Sequence, residues 1–142
     1  MANADEQDWE QALIANMREH EGRPTFGPLE GHPLALMRGT GAKTGEPRHA
    51  ILTYSRDGED YLVAGTAGGS ARTPAWVANM RAHPDVTLEI GTRVIPVRAR
   101  IIEDEAERAR LWDAHVAALP WFAPYPEKAG RPIPMIRLTP TG

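Results

Sequence analysis

Apolar residues recur along this 142-residue chain with two different periods. Between Asp5 and Gly22, Trp9, Leu13 and Met17 fall at i, i+4 and i+8 with Ile14 beside them, the stripe of an amphipathic helix. Asp5 or Asp8 can cap its start, and Gly22 followed by Pro24 ends it. Residues 22–33 hold six glycines and prolines around Phe26 and read as a loop. The pattern then turns strand-like over residues 33–39 and again over 48–55. Arg56-Asp57-Gly58 is a hairpin signal, with residues 60–66 as the return strand. Thr73-Pro74 looks like an N-cap followed by a proline at the first helical position. The helix it starts puts Trp76, Val77 and Met80 on one face and stops at His83-Pro84. In residues 85–90, Val86, Leu88 and Ile90 alternate with polar residues. In 93–102, Ile95, Val97, Ala99 and Ile101 share a face, and Gly91-Thr92 joins the two strands. Pro96 inside the second predicts an edge or a bulge. Leu111, Trp112, His115, Val116 and Leu119 mark one face of a helix over 103–119, with Asp104, Glu105 and Glu107 at its favourable acidic start. An aromatic, proline-rich loop follows (PWFAPYPEKAGRP), then a last strand over 133–138.

This makes about six mostly antiparallel strands, an N-terminal helix and two further helices. Short turns joining neighbouring strands favour a single α+β domain over residues 1–142, built on a small, partly open β-barrel. Residues 1–22 would be its N-terminal helix, either packed on the domain or acting as a lid over a pocket.

Composition narrows the chemistry. The chain has no cysteine, which excludes a disulfide scaffold, a thiol nucleophile and cysteine-ligated metal centres. The net charge is −3 and the pI about 5.9, which disfavours a nucleic-acid partner. No apolar run approaches the roughly 20 residues of a membrane span, and the acidic N-terminus lacks a signal pattern, so a cytoplasmic location is expected. The charge is uneven: residues 38–100 carry nine bases and six acids within an acidic protein. A basic middle can serve an anionic ligand.

Several chemistries lack a motif. The five histidines (20, 32, 49, 83, 115) show no i, i+2 or i, i+4 spacing, so no metal site is expected. There is no G-x-S-x-G elbow. The glycines of GTGAKTG lie between two strands rather than before a helix, which fails the dinucleotide fingerprint, and no P-loop is present.

Two loops remain. Gly39–Arg48 combines pliable backbone with Lys43, Arg48 and two threonine hydroxyls, so it reads either as a solvated turn or as an anion cradle. Ala64–Asn79 brings three glycines and Arg72 to the start of a helix, whose free N–H groups favour anions. Trp76 there is either core or the wall of a ring-binding slot. The aromatic loop from Leu119 to Pro126 reads equally as a cap on the core or as a pocket wall.

In order and spacing these segments resemble the deazaflavin-dependent nitroreductase family, the A-type branch of the flavin/deazaflavin oxidoreductases. The carriers are G-x-K-[ST]-G-x-x-R at Gly41–Arg48, Asp57-Gly58, GG-x(4)-PxWxxNxxAxP at Gly68–Pro84, Asp104–Trp112 and Ile133–Pro140. The resemblance spans residues 33–140. It implies a split β-barrel that binds coenzyme F-420, a tricyclic 8-hydroxy-5-deazaflavin with a ribityl-phosphate and an oligoglutamate tail. On that basis Lys43 and Arg48 meet the phosphate and acidic tail, with Thr44 and Gly45 adding donors. Thr66, Ala67, Gly68, Gly69, Arg72, Pro74 and Trp76 cradle the ring. The implied reaction is hydride transfer to a quinone, a nitroaromatic or an activated enone, with the cofactor carrying the hard step. Tyr125 is the implied proton donor or substrate-orienting group. Phe122, Thr53, Trp9, Leu13 and Met17 complete the substrate side.

The chain departs from the family in two places. Many relatives have Ser-Lys where this chain has Thr66-Ala67, which removes a cation. Phe122 stands where a tyrosine is common and Leu119 where another can occur, which argues against nitroimidazole reduction and leaves quinone reduction open. Three other readings compete: flavin mononucleotide in the same barrel, a non-catalytic lipid or fatty-acid carrier, and a ligand-free β-domain. The expected partner is a small-molecule substrate, with a homodimer possible.

Overall fold

A computed structural model describes residues 4–141. Helix α1 (Ala4–Glu19) leads into β1 (Leu34–Thr40), β2 (Pro47–Thr53), β3 (Ser55–Asp57) and β4 (Asp60–Ala64). A short 3-10 turn at Ala67–Gly69 precedes α2 (Ala75–Ala82). Then come β5 (Asp85–Ile90), β6 (Arg93–Ile101), α3 (Glu105–Ala118), a second 3-10 turn at Pro120–Phe122, α4 (Tyr125–Ala129) and β7 (Met135–Pro140).

All seven strands form one antiparallel sheet in the order β2-β1-β5-β6-β7-β4-β3. Its two edge strands, β2 and β3, are separated in the chain by Tyr54 alone. The sheet must therefore curl until its edges meet, and no ladder joins those edges among the described residues. The result is a barrel split along one seam, as expected.

The differences from the pattern reading have identifiable physical causes. The expected strand over 48–55 breaks at Tyr54, whose N–H donates to the Pro33 carbonyl at 3.2 Å instead of entering a ladder. This break raises the strand count from six to seven. The predicted hairpin at Asp57-Gly58 forms, but only the short β3 pairs with β4. Thr73 does not cap α2; Pro74 takes that position, with φ −59° and ψ 145° and no side-chain bond. A fourth helix, α4, lies inside the proline-rich loop, and Gly130 ends it in the left-handed region at φ 67°. Pro96 lies in the part of β6 beyond the reach of β7, whose pairing begins at Val97.

The alternation read from sequence sets the layers. Ala35 and Met37 of β1 point into the barrel, with Tyr61, Val63, Val86, Leu88, Val97, Ile136 and Leu138. Helices α1 and α3 cover the outer faces. Leu13 and Met17 of α1 pack on Leu34 and Leu36, while Leu111, Leu119 and Phe122 pack on Leu62 and Ala64 of β4. Val77 and Met80 of α2 join the barrel core. Asp104 caps α3 by accepting the Glu107 N–H at 2.8 Å. Arg18 of α1 and Arg38 of β1 both reach Glu89 on β5, at 3.2 and 2.5 Å. The Arg38 guanidinium holds that carboxyl below its usual range.

Candidate active site

Two adjoining cavities share one residue, Trp76 in the first turn of α2. The first, about 200 Å³, opens between the β1–β2 hairpin and α2. Arg48, His49 and Thr40 supply its polar lining, and Met37, Trp76 and Met80 its apolar walls. The hairpin holds its own shape. Gly41 N–H donates to the Glu46 carbonyl at 2.8 Å, and Gly45 N–H to the Gly41 carbonyl at 2.9 Å. A Cβ on Gly41 would lie 2.9 Å from Thr44 Oγ1, so a side chain there would push that hydroxyl from its place beside Glu46 and Arg48. Ala42 N–H donates to Asn79 Oδ1 at 2.9 Å, which ties the hairpin to α2. Arg48 Nη2 donates to Thr44 Oγ1 at 3.2 Å, and its guanidinium stands 3.5 Å from Glu46. Lys43 is exposed in the turn.

The second cavity, about 240 Å³, lies on the other side of Trp76. Thr53, Thr66 and Ala67 line it from the sheet and the loop after β4, and Trp121, Phe122 and Tyr125 from the aromatic segment. Phe122 and Tyr125 meet edge-on at 5.3 Å. Ala67 has φ 46°, a conformation that costs a residue bearing a Cβ about 1 kcal/mol. One side chain holds this loop in place. Arg131 Nη2 donates to the carbonyls of Gly65 (3.1 Å), Thr66 (3.3 Å) and Arg72 (3.0 Å), and its Nε to Ser70 (3.2 Å).

Behind the aromatic wall lies His115. Its Nδ1 is 2.6 Å from Ser55 Oγ, and its ring meets Phe122 edge-on at 4.7 Å. Burial pushes its pKa down to about 4, so the imidazole is neutral near pH 7.

The residues singled out from sequence sort as follows. Arg48 and Trp76 line the first cavity, and Thr44 is bonded to Arg48. Thr53, Thr66, Ala67, Trp76, Phe122 and Tyr125 line the second. Lys43 and Gly45 occupy the hairpin turn, and Pro74 precedes α2. Gly68 and Gly69 follow Ala67 in the 3-10 turn, with Gly69 backed by the Lys128 stem. Arg72 is exposed, with its carbonyl held by Arg131. Trp9 is 45% exposed and edge-on to Phe26 at 6.5 Å. Leu13 and Met17 lie in the packing between α1 and β1 and line neither cavity, because their i, i+4 face is consumed by Leu34 and Leu36. Asn79, His49, Trp121 and Arg131 are contributors that were not singled out. Asn79 was within reach, since it stands in the quoted N-terminal motif of α2. His49 lacked any spacing partner. Arg131 acts on carbonyls, which leave no trace in a sequence pattern.

Among the described residues, no group of three or more histidines or carboxylates is placed to hold a metal ion. No helix there is long and apolar enough to cross a membrane.

The model of one family, described as F420H(2)-dependent quinone reductase, matches residues 9–140. The chain belongs to that family. The resemblance read from Gly41–Arg48 and Gly68–Pro84 is thereby borne out, on its quinone-reducing side. The F420H(2)-dependent quinone reductases include a protein of Mycobacterium tuberculosis (strain ATCC 25618 / H37Rv) that is 38% identical over 109 residues, which is 75% of this chain and 73% of that protein. Among solved structures, an F420-H2 dependent reductase (FDR-A) is 34% identical with a TM-score of 0.66, covering 75% of this chain and 93% of its own. A structure described as a domain-swapped dimer is 32% identical with a TM-score of 0.67, covering 93% and 98%. The family is one of oxidoreductases that use coenzyme F-420.

Proposed function

We propose that this chain reduces quinones with reduced coenzyme F-420, holding the coenzyme on the hairpin side of Trp76 and the quinone against the aromatic wall. The carrying observation is that Arg48 and Trp76 line one cavity, which puts a cation at the end of a flat apolar wall. That donor set suits a ligand that is planar at one end and acidic at the other. Arg48 and Lys43 neutralise the acidic part, and Thr44 holds the Arg48 guanidinium toward it. Trp76 and Met80 receive the ring system. Across Trp76, Thr66 and Ala67, kept in place by Arg131, present backbone to the quinone in the second cavity.

Reduced coenzyme, when bound there, would supply a hydride. A quinone that gains one hydride and one proton becomes a hydroquinone, and the Tyr125 hydroxyl orients the quinone oxygen and delivers that proton. Phe122 and Trp76 exclude water from the contact. A second copy of this chain is part of the reading, supported by the relative described as a domain-swapped dimer; light scattering on the purified protein tests it.

The deciding experiment is a fluorescence titration with oxidised coenzyme F-420, with flavin mononucleotide as control. Saturable binding to the deazaflavin alone is expected, and its absence sinks the reading. Lys43→Ala and Arg48→Ala should each weaken binding by about 1.5–3 kcal/mol, the usual worth of a hydrogen bond to a charged group. Unchanged affinity in both moves the acidic end elsewhere. Tyr125→Phe should lower turnover with coenzyme affinity intact.

A further inference from the structure

Trp121 and Phe122 are neighbours on one 3-10 turn, yet they meet different surroundings. Phe122 is buried among His115, Trp112 and Tyr125, whereas Trp121 is 38% exposed. Both line the second cavity. Trp121 lies flat on His32, with ring centroids 4.1 Å apart and planes 17° from parallel. The other aromatic pairs described in this protein are edge-on or tilted.

His32 comes from a distant part of the chain, the loop between α1 and β1. That loop is fixed by its own bonds. Gly31 N–H donates to the Pro24 carbonyl at 2.8 Å, His32 N–H to the Leu29 carbonyl at 3.0 Å, and Arg23 Nη1 to the Gly31 carbonyl at 2.8 Å. Leu29 of the same loop lines the cavity opposite the aromatic segment. The His32 Nδ1 atom is buried without a partner among the described residues. The Trp121 indole face is the contact described for the imidazole ring.

We propose that Trp121, pinned by His32, sets the size of quinone that this site accepts. The inference rests on the quinone-reductase reading. The cavity, at about 240 Å³, falls below the roughly 300–1,000 Å³ of pockets for drug-sized ligands. A fused-ring substrate presses on the walls of so small a space before a single-ring one does. Phe122 is buried, so of the two aromatic side chains on this turn the exposed Trp121 indole is the one able to swing. Swinging it out breaks its stack with His32 and wets both ring faces. Single-ring quinones avoid that cost and wider ones incur it. His32 is a positioning residue that acts through Trp121.

The test compares kcat/KM for 1,4-benzoquinone, menadione and a three-ring anthraquinone sulfonate. Trp121→Ala should raise the three-ring to one-ring ratio by roughly tenfold, within the range that apolar pockets discriminate by size. His32→Ala should move it the same way by less. His32→Phe, which keeps a flat ring against the indole, should return it to the parent value. Coenzyme affinity by fluorescence should hold in all three. If Trp121→Ala fails to fold, Trp121→Leu and His32→Ala carry the same comparison. Ratios within about twofold of the parent, in variants that still bind coenzyme and reduce benzoquinone, overturn the size gate alone. A parent protein that neither binds the coenzyme nor reduces benzoquinone overturns the reductase reading, and the gate with it.

Discussion

His115 shows how a single side chain couples packing to solution conditions. It is fully buried, bonded to Ser55 at Nδ1 and without a partner at Nε2. Its folded pKa of about 4 lies below the ordinary 6.5, and desolvation is the cause. Between those two values the unfolded chain binds a proton that the folded chain refuses. Stability from this group is therefore complete above pH 6.5 and is lost as pH falls toward 4. The difference corresponds to roughly 3 kcal/mol. Urea unfolding between pH 7 and 4 should lose about that much more for the parent than for His115→Gln. Parallel pH profiles would show that His115 gains its proton without unfolding. In the sequence, His115 read as a member of the apolar helix face, and that placement holds. Leu13 and Met17 were harder to place, because an apolar stripe looks the same whether it lines a pocket or fills a core.

At the scale of elements, the loop from Gly65 to Arg72 shapes the second cavity without any regular strand or helix longer than a 3-10 turn. Its rigidity comes from a guanidinium that bonds four of its carbonyls. Arg131→Ala should cost about 1–3 kcal/mol of stability. It should also speed hydrogen exchange at Gly69, whose N–H bonds the Thr66 carbonyl at 2.9 Å, and raise the KM for the quinone. Unchanged exchange would show that the loop holds itself. Arg131→Lys should not rescue, since an ammonium lacks the planar fork that spans several carbonyls. Elements with strong local signals were legible from residues alone: the acidic start of α3, the Gly91-Thr92 turn and the alternation of Val86, Leu88 and Ile90. The break at Tyr54 was not, because it is caused by a bond to Pro33 across the fold. Nor was α4, whose prolines sit at tolerated positions in its first turn. The Gly41–Arg48 loop showed itself through pliable backbone beside cations, whereas Asn79, which anchors it, emerges only once α2 is placed against the hairpin.

At the scale of the molecule, β7 joins the two halves of the sheet. It lies between β6 and β4, and Met135, Ile136 and Leu138 are wholly buried. Leu138 opposes Ala99 on one side and Tyr61 on the other. Leu138→Ala should destabilise the protein by about 2–5 kcal/mol, as expected for a cavity in a packed core. Unfolding should remain one cooperative transition in denaturant. A loss below 1 kcal/mol would mean that the barrel closes over the gap. The topology also bears on synthesis. β7 is made after every other strand, yet it fills the slot between β6 and β4. A chain emerging from the ribosome thus holds two incomplete sheets, each with an unpaired edge, until residues 135–140 are released. Those edges are the surfaces on which a nascent chain can pair wrongly or need a chaperone.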